Sequence, residues 1–443
     1  MLVVGIILVL ITSIHTVLEI RHAIKNHKFG IFHYVIAWFI FIYGLVPLCL
    51  YANRNFVSTP FRSYWESLHC YLGYILCFYC LTYIFLYAGF KFSKGSSYQI
   101  TINNVNKTST ISFWLLIIGA SALVISIRGY GGLSFYMNHV SAIRSGTAEN
   151  KSYLYSFIGI FSVYLLYAFI LSLAVLLQRS NRRTKIKSSI IFVLSIAPLL
   201  IRMFLSGGRA TMISLFVLIL ILLLLQKGKL PILLTAVSMI SILFIVFYGK
   251  IYIATIFSDN KMAFYDIAYQ GGNTYVEAFI QEFSHQTMSQ VVSLQGDLLG
   301  DRLLKDYFIW ILKPVRLFIS DPYFDSISYY NTYQVLGEWD SNIPPGFIGL
   351  ALYNGGLILL VMQAIVFGMV LRKIDSLFFN SVIQSNALCM CIYLFLFDLS
   401  WYALQNGDPA IIIQASIPFI LFICFLVTTR IVSIRKPIKQ NTK

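Results

Sequence analysis

Eleven long apolar runs divide this 443-residue sequence, and they leave room for one long polar stretch, of about 88 residues from Ser258 to Pro345. A membrane-spanning helix needs about 20 mostly apolar residues, a length that most of these runs match. The pattern predicts an all-α polytopic membrane protein in which residues 1–257 hold eight spans, 258–345 form one large aqueous loop, and 346–443 hold three spans and a tail. The predicted spans are 2–20, 31–52, 69–90, 111–127, 153–177, 189–205, 210–226, 231–256, 347–371, 380–400 and 410–429.

The basic residues predict the orientation of these spans. Hydrophobic residues make up 58% of the chain and charged residues 11%, which excludes an ordinary soluble domain. The connectors 21–30, 91–110, 178–188, 227–230 and 372–379, with the tail after 429, hold 20 of the 33 Lys and Arg residues. By the positive-inside rule these connectors are cytoplasmic, so the N-terminus and the long loop lie outside. The net charge of +16 is therefore an orientation signal, and we expect no nucleic acid partner.

The long outer loop has helical patterns of its own. Thr274 and Glu277 have the spacing of a capping box, and an apolar-spaced run follows as far as Leu299. Asp301 precedes a second predicted helix, Leu303–Leu312, which Pro314 ends. We expect these short helices to form a lid or cup over the spans.

One small-residue turn on the outer side points to an anion site. Gly207 and Gly208 allow a tight turn, and the seventh span then begins with Arg209 and free backbone N–H groups that face outward. A helix N-terminus beside an arginine is a favourable place for a phosphate group. Arg202 lies just below, inside an apolar run, where a charge is costly unless it serves a cavity. The alternative is a pair of arginines that extend to the membrane interface.

Two further basic features lie on the same side. Lys313 and Arg316 follow the second loop helix, and Arg302 precedes it; a solvated helix face is the alternative. Arg128 and Arg144 flank a Gly- and Tyr-rich segment, where capping of the loop is an equal alternative.

Proton transfer and sugar binding have fewer candidates. Asp340, in a Glu-x-Asp pair, and His285 are the loop residues that we consider as proton acceptors. Asp398, near the outer end of the tenth span, is expected to line a cavity or to pair with Arg202 or Lys250. Tyr333 is a candidate for stacking on a sugar ring, with interfacial anchoring as the alternative. We expect neither a metal nor a cofactor.

Two stretches together resemble one family. Arg202-x-x-x-Ser206-Gly-Gly-Arg209 opens a Leu-rich span, and Lys313-Pro314 is followed by a stretch that begins with Asn342-Ile-Pro-Pro-Gly and continues to Tyr353-Asn-Gly-Gly. With the order of spans and the late outer loop, the chain resembles the Wzy-type O-antigen polymerases. The resemblance implies a GT-C-like glycosyltransferase of the bacterial inner membrane, with a periplasmic loop.

The resemblance also implies a substrate and roles for residues. The donor would be an undecaprenyl-pyrophosphate-linked glycan, transferred to a sugar hydroxyl of a fresh lipid-linked unit. Arg209 and Arg316 fall where the family carries arginines. A chain-length regulator and a flippase are the implied protein partners. An O-antigen ligase, which uses the same donor, and a lipid-linked oligosaccharide flippase remain the alternatives.

Overall fold

A computed structural model of the protein describes most of the chain as a helical membrane bundle. The residues that the structure describes are 2–102, 107–139, 143, 153–178, 181–205, 209–228, 235–238, 240–241, 275–309, 311, 326–337, 342–379, 381 and 386–435. The spanning helices of the N-terminal part are α1 (Leu2–Lys25), α2 (Ile31–Ala52), α3 (Trp65–Phe92), α4 (Thr108–Gly129), α6 (Leu154–Leu177), α7 (Arg182–Leu205) and α8 (Arg209–Lys227). Strand β1 (Gln99–Ile102) and helix α5 (Leu133–Asn138) lie in the connectors.

Short helices of the outer loop and the C-terminal spans complete the fold. The loop forms α9 (Tyr275–Gln281), α10 (Ser284–Gln295), α11 (Lys305–Ile309) and α12 (Ile327–Leu336). The helical stretch Gly346–Phe379 is two helices, α13 at 346–354 and α14 at 357–379, because Gly355 and Gly356 between them have non-helical backbone angles. Helices α15 (Ala387–Asn406) and α16 (Pro409–Thr428) and strand β2 (Val432–Arg435) follow.

The predicted membrane spans are confirmed over most of the chain. Within the described ranges, nine helices are long and apolar enough to cross a bilayer, and α8 is a shorter apolar helix. The predicted span 231–256 lies for most of its length outside the described residues. Large apolar side chains project outward from these helices, for example Val3, Ile14 and Ile358, which are 68%, 62% and 77% exposed. Such a surface is stable only in lipid, so the chain is a multi-pass membrane protein.

The connectors predicted to share one side do meet at one end of the bundle. Strands β1 and β2 pair antiparallel, with Gln99 opposite Arg435. The Asp375 carboxylate accepts hydrogen bonds from the backbone N–H groups of Ile31 at 2.9 Å and Phe32 at 3.2 Å, which caps the start of α2. We refer to this end, where most of the connector lysines and arginines lie, as the basic end.

The opposite end gathers the connectors that were predicted to face outward. The Gln281 side chain donates to the Asn55 carbonyl oxygen at 2.6 Å, and the Ser328 hydroxyl donates to Asp408 at 2.6 Å. The Tyr64 hydroxyl donates to the Gln334 carbonyl oxygen at 3.2 Å. The long loop therefore packs on the connectors α2–α3 and α15–α16 at this end, which we call the outer end after its predicted orientation.

Helix α10 corrects the expectation of a loop that only covers the bundle. Most of its residues are fully buried, including the polar Gln286, Thr287 and Gln290, against α3 and the last turns of α2. The predicted single helix up to Leu299 is two helices, α9 and α10, which a turn at Glu282 and Phe283 separates. The loop thus enters the outer half of the bundle and forms part of its core.

The segment predicted as one span at 347–371 is also corrected. Helix α13 is buried along its whole length, and the chain then reverses so that Gln363 of α14 donates to the carbonyl oxygen of Phe347 at 2.8 Å. Of the two helices, only α14, with 23 residues at about 1.5 Å each, is long enough to cross a membrane. The predicted helix Leu303–Leu312 starts later than expected, at Lys305, because Leu303 and Leu304 have positive φ angles of 41° and 63°.

The same positive-φ segment caps helix α13. The backbone N–H groups of Gly300, Arg302 and Leu304 donate to the last three carbonyl oxygens of α13, those of Leu352, Tyr353 and Asn354, at 2.8, 2.9 and 3.0 Å. A helix that ends inside a membrane protein needs such partners, because lipid offers none. These hydrogen bonds from the loop therefore stabilise the turn between α13 and α14.

Candidate functional site

A polar cavity lies between α6, α7, α8, α15 and α16 near the outer end of the bundle. It has a volume of about 200 Å³. We call it the Arg202–Asp398 cavity, after its two charged residues. Its lining residues are Ile160, Val163, Leu166, Tyr167, Arg202, Ser214, Asp398, Leu399, Trp401, Tyr402 and Ala415.

Arg202 brings a positive charge into this cavity from the last turn of α7. Its Nε donates to the Ser162 hydroxyl at 3.1 Å, and its Nη1 is buried without a hydrogen-bond partner among the described residues. An arginine keeps its charge in proteins, and a buried donor left unpaired is costly. Arg202 therefore brings a cationic side chain to the cavity lining, a group that suits an anionic ligand.

Asp398 brings a carboxylate to the same cavity from α15. Its Oδ1 accepts a short hydrogen bond from the Ser214 hydroxyl of α8. Arg202 and Asp398 thus line one cavity, as the sequence indicated, but each is hydrogen-bonded to a serine and they form no ion pair with each other. Opposite charges that face a shared space without pairing favour a ligand between them.

The start of α8 lies beside the cavity. Ser214 is five residues after Arg209, the first residue of the helix, which corresponds to about 7.5 Å along the helix axis. The N-terminus of a helix carries a partial positive charge and unpaired N–H groups. The backbone of Arg209 therefore lies about one and a half helical turns from the cavity, although its side chain is outside the described part of the structure.

The outer segment that follows α4 also approaches Arg202. Burial raises the pKa of the Tyr136 phenol in α5 to about 12, the neighbouring Tyr130 adds to the rise, and the positive charge of Arg202 opposes it. The Tyr130 and Ser156 hydroxyls share a short hydrogen bond, which ties this segment to α6. The Gly- and Tyr-rich segment and the Arg202 region, which the sequence singled out separately, therefore adjoin.

Arg302 has a different environment from the one predicted. It is buried and forms a two-fold contact with Asp306, from Nη2 to Oδ1 at 2.8 Å and from Nε to Oδ2 at 3.0 Å. Asn354 joins the cluster by donating to Asp306 at 3.0 Å. Arg302 does not line the cavity, and this ion pair ties the loop to the end of α13.

His285 lies in the buried helix α10 rather than at the cavity. Burial lowers its pKa to about 4, and the negative charge of Glu282 opposes that shift only in part. Its Nε2 is buried without a partner among the described residues. A side chain with this pKa is neutral at pH 7 and is a weak base, which speaks against the predicted role as a proton acceptor.

The remaining predicted residues are separate from the cavity or outside the described ranges. Tyr333 is exposed on α12, and Asn342 is exposed just before α13. No group of three or more His, Cys, Asp or Glu residues suited to a metal occurs in the part of the chain that the structure describes. The predictions that fall on undescribed residues are Arg144, Gly207, Gly208, Lys313, Arg316 and Asp340.

Sequence reasoning missed two features of this region. Ser214, which holds Asp398, sits in a Leu-rich run where a single serine carries no signal by itself. The burial of the polar residues of α10 was not predicted from the sequence, since the apolar-spaced run there indicates a helix with only one buried face. Comparison with known proteins adds no family: no protein-family model, curated protein or solved structure matches this chain.

Proposed function

We propose that this multi-pass membrane protein is a glycosyltransferase that polymerises oligosaccharide repeat units linked to undecaprenyl pyrophosphate. The product is O-antigen or a related surface polysaccharide, made at the periplasmic face of the bacterial inner membrane. The growing chain leaves its lipid carrier and joins a sugar hydroxyl of a new lipid-linked unit. The motif resemblance described above supplies this reaction, and the geometry of the cavity supports it.

The charge of Arg202 in the cavity lining carries the proposal, because its Nη1 has no hydrogen-bond partner among the described residues. This nitrogen is a buried cationic donor at the outer end of the spans, next to the start of α8. A lipid pyrophosphate in the outer leaflet would bring its negative charge to this depth while its polyprenyl chain stays in lipid. Fixed donors that face a developing negative charge contribute a few kcal/mol each to stabilising a transition state. Arg202, with Arg209 above it, would stabilise the leaving pyrophosphate in this way.

The size of the cavity limits what it holds. Pockets for drug-sized ligands have volumes of about 300–1,000 Å³, larger than the 200 Å³ of the Arg202–Asp398 cavity. The cavity therefore suits the reacting phosphate and the sugar next to it. The rest of the glycan would lie above it, against the outer loop.

The arrangement of connectors supports the proposed orientation. The connectors rich in lysine and arginine meet at the basic end, and the cavity lies toward the opposite end, by the last turn of α7. Under the positive-inside rule the basic end is cytoplasmic, so the cavity belongs to the periplasmic leaflet. The N-terminus is then periplasmic and the C-terminus cytoplasmic.

Gel electrophoresis of lipopolysaccharide tests the proposal. A strain without its own copy of the gene would carry wild type, Arg202→Ala, Arg209→Ala or the exposed outer control Arg54→Ala, at matched expression. We expect a full ladder with wild type and the control, and core plus a single repeat unit with either cavity variant. Core without any repeat unit in the deletion strain would instead indicate a ligase or a flippase, and a full ladder in that strain would contradict polymerase activity.

A further inference from the structure

Asp398 lines the cavity and has a second carboxylate oxygen, Oδ2, that the proposed anion site does not use. Its Oδ1 takes the hydrogen bond from Ser214, and no partner of Oδ2 is found among the described residues. An ionised carboxylate can only accept hydrogen bonds. A charge inside a membrane protein is costly and is usually paired or functional, yet Asp398 and Arg202 line the same cavity without an ion pair between them.

The two charged groups together specify the chemistry of a ligand. Arg202 offers a donor to an anionic oxygen, and Asp398 offers an acceptor to a hydroxyl or another donor. A phosphate bonded to a sugar, with a second sugar hydroxyl beside it, presents both groups within a space of about 200 Å³. A simple anion would satisfy Arg202 and be repelled by Asp398.

We infer that Asp398 is the catalytic base that takes the proton of the attacking sugar hydroxyl, an assignment that rests on the proposed glycosyl transfer. The hydroxyl oxygen forms a bond to the anomeric carbon of the donor glycan. The bond between that carbon and the phosphate oxygen breaks, and its electron pair leaves with the lipid pyrophosphate, whose charge faces Arg202. The hydroxyl proton moves to Oδ2 of Asp398, so no further reactant is needed.

Ser214 has a defined part in this arrangement. By donating to Oδ1 it holds the carboxylate in the cavity lining and leaves Oδ2 to act as the base. It comes from α8, the helix whose first residue is Arg209, so one helix positions the base and places its N-terminus by the leaving group. Ser214 is a positioning residue and does not itself touch the substrate.

Purified protein in liposomes, supplied with lipid-linked repeat units, tests the assignment by two readouts, donor binding and the rate of chain elongation. Asp398→Asn keeps the size of the side chain and the bond from Ser214. We expect it to bind the donor within about threefold of wild type and to elongate it about 10²–10⁴-fold more slowly, the usual contribution of a general base. Asp297→Asn, at an exposed loop position, is the control and should elongate at the wild-type rate.

Chemical rescue separates a missing base from a damaged fold. Asp398→Ala opens space beside Ser214, and added formate should raise its elongation rate at least tenfold by supplying a carboxylate. Formate should not rescue Arg202→Ala, which should lose donor binding. Elongation by Asp398→Asn within about fivefold of wild type, or absence of rescue in a folded Asp398→Ala, would overturn the role of Asp398 but not the proposed function. Failure of wild type to elongate any lipid-linked unit would overturn the proposed function and this assignment together.

Discussion

The side-chain amide of Gln363 donates a hydrogen bond to the carbonyl oxygen of Phe347 at 2.8 Å. In one straight helix these residues, sixteen positions apart, would be about 24 Å from each other. A second contact agrees with the reversal: the rings of Phe347 and Phe367, twenty positions apart, have centroids 5.2 Å from each other. Helix α13 therefore lies antiparallel against α14 and fills the outer half of the bundle, where it contacts the polar helix α10.

We predict that Gly356→Ala destabilises this hairpin. Gly356 has φ 61° and ψ −145°, a region that residues with a side chain avoid, while a Cβ atom there would meet no other atom within 4 Å. The cost is therefore one of backbone conformation, about 1–3 kcal/mol. A lower melting temperature of the purified protein in detergent would show it.

Gly337→Asn is the matched control for that substitution. Gly337 also has open space around its Cβ position, but its φ of 74° and ψ of 4° lie in the left-handed helical region that asparagine tolerates. We expect little change in its melting temperature. Equal losses in the two variants would show that the Gly356 backbone is not a special constraint.

We predict that the Arg302–Asp306 pair is essential to stability. Arg302→Ala leaves a carboxylate that is fully buried, with Asn354 as its remaining side-chain partner, and breaking a buried pair in this way costs about 3–5 kcal/mol. The comparison is Lys91→Ala, which breaks the exposed pair with Glu19 at 3.0 Å. Exposed pairs contribute about 0–1 kcal/mol. Chemical unfolding in detergent would contradict the prediction if both variants lost the same stability.

The sequence predicts the membrane spans well because a span is recognised by the length and the apolar composition of a run alone. Runs such as 153–177 and 410–429 must be helical in lipid, where every backbone group needs an internal partner. The shared cavity of Arg202 and Asp398 could be predicted for a related reason: ionisable groups inside spans face each other or a polar space. Both inferences depend on the cost of polarity in lipid and need no knowledge of packing.

The reversal at Gly355 and Gly356 could not be predicted in the same way. The buried helix α13 and the first part of the span α14 are both apolar, so hydropathy averaged over 347–371 does not separate them. The turn residues Asn354-Gly355-Gly356 were the available signal, but their effect depends on the loop N–H groups that cap α13. The environment of Arg302 was not predicted for a similar reason. Its partner Asp306 lies one helical turn later, and the sequence does not show that the pair is buried.

We predict that His285 makes the protein less stable in mild acid. Its pKa is about 4 in the folded protein, against 6.5 for an ordinary histidine, so the unfolded chain binds the proton more readily. The contribution of His285 to the free energy of unfolding is therefore fully present above about pH 6.5, and it falls as the pH drops toward 4. Between pH 7.5 and pH 5 the loss from this group is up to about 2 kcal/mol. Melting temperatures of wild type should fall over this interval more than those of His285→Gln, with the exposed His22→Gln as the control; parallel curves for all three would refute the prediction.

The contact between α3 and α14 gives the last prediction, that Gly368→Ala separates these helices. A Cβ atom on Gly368 would lie 2.2 Å from the Leu86 carbonyl oxygen, and one on Gly89 would lie 2.3 Å from the Ile365 carbonyl oxygen. Small residues at such crossings let helix backbones pack closely in membranes. Alanine normally stabilises a helix relative to glycine by about 0.5–1 kcal/mol. A lower melting temperature for Gly368→Ala or Gly89→Ala would therefore be the opposite of the usual effect. Gly159→Ala, whose nearest neighbour is the Ser126 hydroxyl, which can rotate away, is the control and should be close to neutral. A rise in melting temperature for Gly368→Ala would show that the two helices can move apart without cost.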